Sequence, residues 1–176
     1  MRLALATLII VLTGALAACG DDLPPDKAIA ASDFSAPADG VAFRAPAGAV
    51  IGEGQNTQVA VLRRGDWTLV VSRFDREGAD LPRSEADHAR AANALEREFA
   101  ARGFDSAEGV IAQSGKTRSV IVRTTDAGKA GRHEHFYAFG NEYVVDCVAA
   151  ERDFERMEDL LCLPVIGSLE LSRPDS

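Results

Sequence analysis

The stretch that decides the fold is HEHFYAFGNEYVVDC, residues 133–147. Polar and apolar residues alternate on both sides of Gly140 and Asn141, and this pattern is typical of two antiparallel strands joined by a two-residue turn. The pattern predicts a β-hairpin at the centre of the domain.

The register of this hairpin sorts its side chains into two faces. Counting outward from the turn places Phe139 opposite Glu142 and His135 opposite Asp146. One face, which we call the histidine face, consists of His133, His135, Tyr137, Phe139, Val144, Asp146 and Val148. The other face is apolar and consists of Phe136, Ala138, Tyr143, Val145 and Cys147. We expect the apolar face to pack against the last helix and the histidine face to point the opposite way.

The histidine face has two possible uses. His133 and His135, with Asp146 across the hairpin, could present three ligands to zinc or another divalent ion. The same residues also describe a solvated strand face with a cross-strand histidine–aspartate pair, which contributes about 0.2 to 1 kcal/mol. The third histidine of the chain, His88, lies on a predicted helix. We predict the solvated face, without a metal. We also expect it to be the binding face for a partner, with His133, His135, Tyr137 and Asp146 in contact and with Tyr137 and Phe139 offering aromatic area beside the polar groups.

A hairpin and a helix precede this segment. The runs 57–64 and 67–74, TQVAVLRR and WTLVVSRF, are rich in valine and predict two strands around a turn. Ser84 is a good N-cap with Asp87 three positions later, and Gly103 ends the helical pattern.

The remaining elements complete an α+β pattern. Residues 109–113 and 118–124 predict two strands, and a loop over 126–131 leads into the central hairpin. A helix is predicted from Glu151 to about Leu163, interrupted by a proline and resuming afterwards. We expect an α+β fold in which a mostly antiparallel sheet is sandwiched with helices.

The chain has three cysteines, an odd number for an exported protein until one of them is assigned to a lipid anchor. Cys147 ends a predicted strand and Cys162 lies in the last helix, so an oxidising compartment would favour a disulfide between them. A redox or catalytic pair is disfavoured because the two are not spaced as C-x-x-C. The third, Cys19, belongs to the leader.

The first residues form an export signal. Residues 1–18, MRLALATLIIVLTGALAA, hold an apolar run that is too short for a comfortable membrane span. The sequence LAAC, residues 16–19, resembles the lipobox of bacterial lipoproteins, and the resemblance implies cleavage before Cys19 and acylation of that cysteine. An ordinary signal peptide followed by a chance cysteine is the alternative. We expect a lipid-anchored protein that faces the periplasm, in the inner or the outer membrane.

The mature chain divides into a tether and one domain. Residues 19–40 are rich in proline, aspartate and small residues and predict a flexible, lipidated tether. Residues 41–176 are enough for a single domain with its own core. The formal net charge of −8 argues against a nucleic-acid partner and against electrostatic docking on anionic lipid.

The order of elements resembles the PsbP-like fold. Four segments carry the resemblance, and they are FRAPAG, DWTLVVSRF, HFYAFGNEYVVDC and FERMEDLLCLPVIGSLEL. That fold is shared by extrinsic photosystem proteins, the Mog nuclear transport factors and bacterial lipoproteins of the DcrB-like kind. The resemblance covers about residues 41–171 and implies an accessory or adaptor role, with no shared active site to carry over.

The functional expectation is a binding protein. The sequence contains no G-x-S-x-G, P-loop, H-E-x-x-H or GxGxxG pattern, so it gives an enzyme no support, and no cofactor is expected. We predict a non-catalytic accessory module for an envelope protein complex. The alternative is a lipoprotein that binds a small ligand or a metal between sheet and helix. Two further classes stay open, and they are a hydrolase or transferase and a purely structural envelope protein.

Overall fold

The computed structural model describes residues 30–76, 80–114 and 117–175. The strands in those residues are β1 Ser32–Ala36, β2 Val41–Ala45, β3 Val50–Glu53, β4 Gln58–Arg64, β5 Trp67–Asp75, β6 Ser106–Ser114, β7 Thr117–Asp126, β8 Lys129–Ala138, β9 Asn141–Ala150 and β10 Glu170–Leu171. The helices are α1 Glu85–Ala101, α2 Glu151–Met157 and α3 Leu163–Gly167, with a π-helical turn Glu158–Cys162 between the last two and a 3₁₀ turn Pro37–Asp39 after β1.

Two antiparallel sheets form the scaffold. The large sheet has seven strands in the order β3-β4-β5-β9-β8-β7-β6, and the small sheet has the order β1-β2-β10. The predicted α+β class, with a mostly antiparallel sheet and helices on its faces, is therefore confirmed. The turn between β7 and β8 is tighter than the predicted loop over 126–131, because Asp126 pairs directly with Lys129 around Ala127 and Gly128.

The main core lies on one face of the large sheet, beneath α2, α3 and the small sheet. Its buried residues include Phe43, Leu62, Leu69, Val71, Tyr143, Val145, Cys147, Met157, Leu161 and Val165. The alternation of these residues along each strand explains why sequence periodicity identified the apolar face correctly.

Helix α1 covers the opposite face over β6 and β7. It begins as predicted, because the Ser84 hydroxyl accepts from the Asp87 amide and the Asp87 carboxylate accepts from the Ser84 amide. Ala92 and Phe99 of this helix are buried against the sheet. A Cβ atom at Gly109 would lie 2.6 Å from the Ala92 carbonyl oxygen, so glycine is needed where this helix crosses β6.

The last helix continues where an interruption was predicted. It runs from Glu151 to Gly167 through the π-helical turn. Pro164 has no amide hydrogen and cannot bond to the carbonyl of Leu160 in the ordinary helical pattern. That carbonyl accepts instead from the Arg64 guanidinium at 2.8 Å, and the widened turn makes room for the proline ring.

The domain includes residues that precede the predicted boundary at residue 41. Ser32–Ala36 form β1, paired with β2, and Phe34 stacks on Phe43 with ring centroids 4.7 Å apart. A flexible tether is therefore wrong for this part of 19–40, because Phe34 and the backbone of β1 find partners in the domain. The predicted signal 1–18, Cys19 and the rest of the tether lie outside the described residues.

Among the residues described here, none of the helices combines the length and the apolarity that a membrane crossing needs.

Candidate functional site

The central hairpin turns one residue earlier than predicted. The turn consists of Phe139 and Gly140, and Ala138 pairs with Asn141. The observed pairs on the histidine face are Tyr137 with Glu142, His135 with Val144 and His133 with Asp146. The cross-strand partner of each residue shifts by two positions relative to the predicted pairing, so both faces keep their predicted members except Phe139, which lies in the turn.

The histidine face is not solvated. His133 and His135 are 8% and 6% exposed, and the Phe99 ring of α1 lies 4.6 Å from the His133 ring. Tyr137 is half-buried and meets His88 of α1 edge to face at 5.9 Å. Of the predicted binding face, only Asp146 keeps substantial exposure, at 36% of its side chain. A second layer of the domain therefore covers most of the surface that the sequence suggested for a partner.

His133 belongs to a closed polar chain. Its Nδ1 lies 2.7 Å from the Asp146 carboxylate and its Nε2 lies 3.1 Å from the Thr124 hydroxyl. This order of hydroxyl, imidazole and carboxylate resembles a catalytic triad. However, Thr124 is only 4% exposed and Phe99 and Phe104 pack around the imidazole, so no substrate reaches the hydroxyl. We interpret the chain as structural.

His135 belongs to a second polar chain. Its Nδ1 lies 2.8 Å from the Glu142 carboxylate, whose other oxygen accepts from Arg76 Nε at 2.8 Å. Burial alone would raise the pKa of Glu142, but the bonds from His135 and Arg76 outweigh it and lower the pKa below the ordinary value of 4.5. Burial, with the Glu142 charge, raises the pKa of Tyr137. Glu142 is therefore a fixed buried anion.

The metal ligand set considered for this hairpin does not assemble. The two histidines bond to different carboxylates, one to Asp146 and the other to Glu142. Across residues 30–76, 80–114 and 117–175, no three histidine, cysteine, aspartate or glutamate side chains converge in a metal-binding arrangement.

A cleft opens where strands β6, β7 and β8 meet the N-terminal end of α1 and the end of α3. Its volume is about 820 Å³. The cleft is lined by Pro82, Arg83, His88, Ala112, Gln113, Thr117, Arg118, Ser119, Glu134, Phe136, Tyr137, Ala138, Phe139, Ile166, Gly167, Leu169 and Leu171. Of the predicted histidine face, Tyr137 and Phe139 line the cleft. The alternative hypothesis predicts a concave apolar cavity between sheet and helix for a small ligand, and it stays a prediction.

The polar floor of the cleft is fixed by buried bonds. The Ser119 hydroxyl donates to Glu134 at 2.6 Å, and Arg132 donates to the other Glu134 oxygen through Nε at 3.0 Å and Nη2 at 2.6 Å. Arg132 also donates to Glu158 at 2.8 Å. Burial alone would lower the pKa of Arg132, but the two glutamates raise it. The floor therefore consists of a matched ion network.

The turn at the rim of the cleft is unusual. Phe139 adopts a left-handed conformation with φ of 51°, followed by Gly140 with φ of 79°. Two-residue hairpin turns of this kind favour asparagine, aspartate or glycine at both positions, and a bulky residue with positive φ is an outlier. The Phe139 ring is nevertheless 52% exposed. The Asn141 side chain holds the turn by donating to the Phe139 carbonyl at 3.0 Å and accepting from Arg73 at 3.0 Å.

Comparison with known proteins identifies the fold. No model of a protein family matches the sequence, and no curated protein matches it. The solution structure of cyanobacterial PsbP (CyanoP) from Synechocystis sp. PCC 6803 matches with a TM-score of 0.57 and 16% identity, over 90% of this chain and 100% of that one. A crystal structure from Bacteroides thetaiotaomicron VPI-5482 matches with a TM-score of 0.52 and 12% identity, over 82% of this chain and 50% of that one. The chain has a PsbP-like fold.

Sequence reasoning missed the cleft because its walls come from distant segments. The turn signal chosen was Gly140 and Asn141, whereas the chain uses Phe139 and Gly140. A usable signal was present in Gly109, since a glycine within a strand often marks the close approach of another backbone. It would have placed α1 over the histidine face.

Proposed function

We propose that this protein is a lipid-anchored envelope lipoprotein that serves as a non-catalytic binding module of a protein complex, and that it contacts its partner through Phe139 and the cleft beside it. The observation that carries the proposal is Phe139, a large apolar side chain that is 52% exposed in a strained turn. Strained backbone conformations of this kind cluster at functional sites, where the side chain has a role that an unstrained residue type could not fulfil.

A left-handed conformation costs a residue such as phenylalanine about 1 to 2 kcal/mol, which asparagine or glycine would largely avoid. Protein interfaces commonly centre on a few aromatic anchors that enter a partner's pocket. Phe139 offers such an anchor, and the cleft beside it offers a concave surface next to that anchor.

The proposed location depends on the leader sequence. Acylation of Cys19 in LAAC would hold the mature chain at the bilayer, because several acyl chains on one residue give nearly permanent anchoring. Few residues then separate the lipid from β1, which begins at Ser32. The domain would therefore work close to the membrane surface, where envelope complexes are within its reach.

A second candidate function is the binding of a small ligand in the same cleft. The cleft volume of about 820 Å³ supports it, because ligand sites commonly span roughly 300 to 1,000 Å³. The metal-binding form of this alternative gains no support from the histidine pairs described above.

Photo-crosslinking in cells tests the proposed function. The full chain, with its own leader, carries a photoreactive residue at Phe139, and captured species are identified by mass spectrometry. We expect one dominant envelope protein, since an anchor residue is buried in the partner. The matched control places the same probe at Arg97, which is exposed on α1 away from the cleft, and it should lose that product. Capture of only lipid, self or background from position 139 would contradict the proposal.

A further inference from the structure

The charges around the cleft point to an acidic segment with apolar residues, in extended conformation, as the part of the partner that occupies it. This inference rests on the proposed function and names the chemistry of the partner at the same site. Three features carry the inference, and they are two arginines at the rim, a histidine ring nitrogen and an apolar lining on the other face of the sheet.

Arg83 supplies an uncompensated positive charge. Its side chain is exposed and lines the cleft. Its backbone amide donates to Asp87 at 3.2 Å, but its guanidinium makes no ion pair or hydrogen bond within the part of the chain that the structure describes. A free guanidinium at a rim fits a carboxylate, which it can bind with two parallel bonds.

Arg118 adds a second positive charge on the β7 side of the cleft. Its closest carboxylate is Glu85 at 3.5 Å, and the two side chains are 34% and 76% exposed. An exposed pair at this distance is weak, so a partner's carboxylate can replace Glu85 at little cost.

The carboxylate on the cleft floor does not cancel these charges. Glu134 is 3% exposed, and Arg132 and Ser119 bind both of its oxygens. Glu134 therefore adds no free negative charge. The whole chain has a formal net charge of −8, so a net positive rim is a local departure that favours an acidic ligand.

His88 places a ring nitrogen at the same cleft. It is 5% exposed, and its Nδ1 lies 2.8 Å from the Ser84 carbonyl oxygen. A carbonyl only accepts, so Nδ1 carries the hydrogen. Nε2 makes no hydrogen bond within residues 30–76, 80–114 and 117–175, and it is the ring atom left for a ligand. In the neutral ring Nε2 accepts a hydrogen bond, which a backbone amide of the partner can donate.

The cleft lining on the face of the sheet opposite to His88 and Tyr137 is apolar. It consists of Phe136, Ala138, Ile166, Leu169 and Leu171, and Phe139 stands at its rim. An extended chain that lies in line with the strands presents alternate side chains to the two faces of the sheet, so its acidic residues can meet the arginines and its apolar residues can cover this lining. A compact inorganic anion would leave the apolar lining uncovered.

Binding of defined peptides tests the inference. Three nine-residue peptides share the same leucine and phenylalanine positions and differ in the intervening residues, which are glutamate, glutamine or lysine. The full chain is held in lipid nanodiscs, and binding is measured by calorimetry against empty nanodiscs. We expect the glutamate peptide to bind about 10-fold more tightly than the glutamine peptide and the lysine peptide to bind least, because two exposed ion pairs form or are lost.

Matched variants locate the binding. Arg83→Gln with Arg118→Gln should weaken the glutamate peptide by about 10-fold and leave the glutamine peptide unchanged. The control, Arg63→Gln with Arg97→Gln, changes the same net charge at exposed positions outside the cleft and should have no effect. Equal binding of all three peptides, or an equal loss in both double variants, would overturn the acidic preference and leave the proposed function standing. If no peptide binds while the probe at Phe139 still captures a protein, the occupant is not an extended segment and the inference fails.

Discussion

Replacing Arg132 with methionine is expected to lower the free energy of unfolding by about 3 to 5 kcal/mol. Arg132 is 8% exposed and donates to Glu134 and Glu158, and Glu134 is 3% exposed. Arg132→Met keeps an unbranched side chain that fits the space but leaves the Glu134 carboxylate buried with only the Ser119 hydroxyl as a partner. A buried charge without a countercharge is among the most destabilising changes a core can receive. Urea unfolding of the variant and the wild type measures the loss.

The double variant Arg132→Met with Glu134→Leu distinguishes the effect of an unpaired buried charge from the effect of altered side-chain packing. It removes both buried charges, and Glu158 keeps its second cation, Arg123, at 2.8 Å. Replacing both members of a buried pair by apolar groups is often close to neutral. We expect the double variant to recover most of the stability. A double variant as unstable as Arg132→Met alone would show that packing, and not the unpaired charge, causes the loss.

Removing the disulfide is the second change with a large expected effect. Cys147 and Cys162 are bonded, 15 positions apart, and both are fully buried between β9 and the π-helical turn. Closing a loop of that length contributes about 3 kcal/mol in the chain-entropy model. We expect Cys147→Ala with Cys162→Ala to lose about that much stability in urea unfolding.

Reduction of the wild type is the matched experiment for the disulfide. The reduced wild type and the double alanine variant should unfold at similar urea concentrations, since both lack the same crosslink. The variant itself should not respond to reductant. Equal stability of the oxidised and reduced wild type would contradict the account, because the crosslink would then contribute nothing.

Local elements followed from the sequence because local chemistry determines them. The capping box at Ser84, the hairpin around Gly65 and the alternation along β8 and β9 each depend on neighbouring residues. The disulfide was also predictable, since a buried strand and the helix after it must lie close together. These agreements show that most of this fold is encoded at short range.

The layer above the histidine face was not predictable in the same way. A strand pattern tells which residues share a face, but it does not tell whether a helix 40 residues away will cover that face. Because α1 packs against β6 and β7, His133 and His135 are buried and hydrogen-bonded to carboxylates instead of lying at the surface. The error concerned the environment of these residues and not their orientation.

The turn at Phe139 shows why register is harder to predict than strands. Glycine followed by asparagine is a strong turn signal, and no local rule favours phenylalanine in a left-handed conformation. The observed pairing places Asn141 where its side chain bonds to the Phe139 carbonyl and to Arg73. Long-range contacts thus hold a turn that local preference disfavours.

The most direct test of this account compares Phe139→Asn with Ala127→Asn. Ala127 occupies the equivalent turn between β7 and β8 with φ of 48°, and it lies outside the cleft lining. Asparagine tolerates this conformation, so each variant should gain about 1 kcal/mol and unfold about 3 °C higher. Binding is read in cells from a photoreactive residue at Thr117, on the β7 side of the cleft. We predict that Phe139→Asn gains stability and loses the captured partner, while Ala127→Asn gains stability and keeps it. Retention of the partner by Phe139→Asn would contradict the claim that this strained, exposed ring is the contact residue.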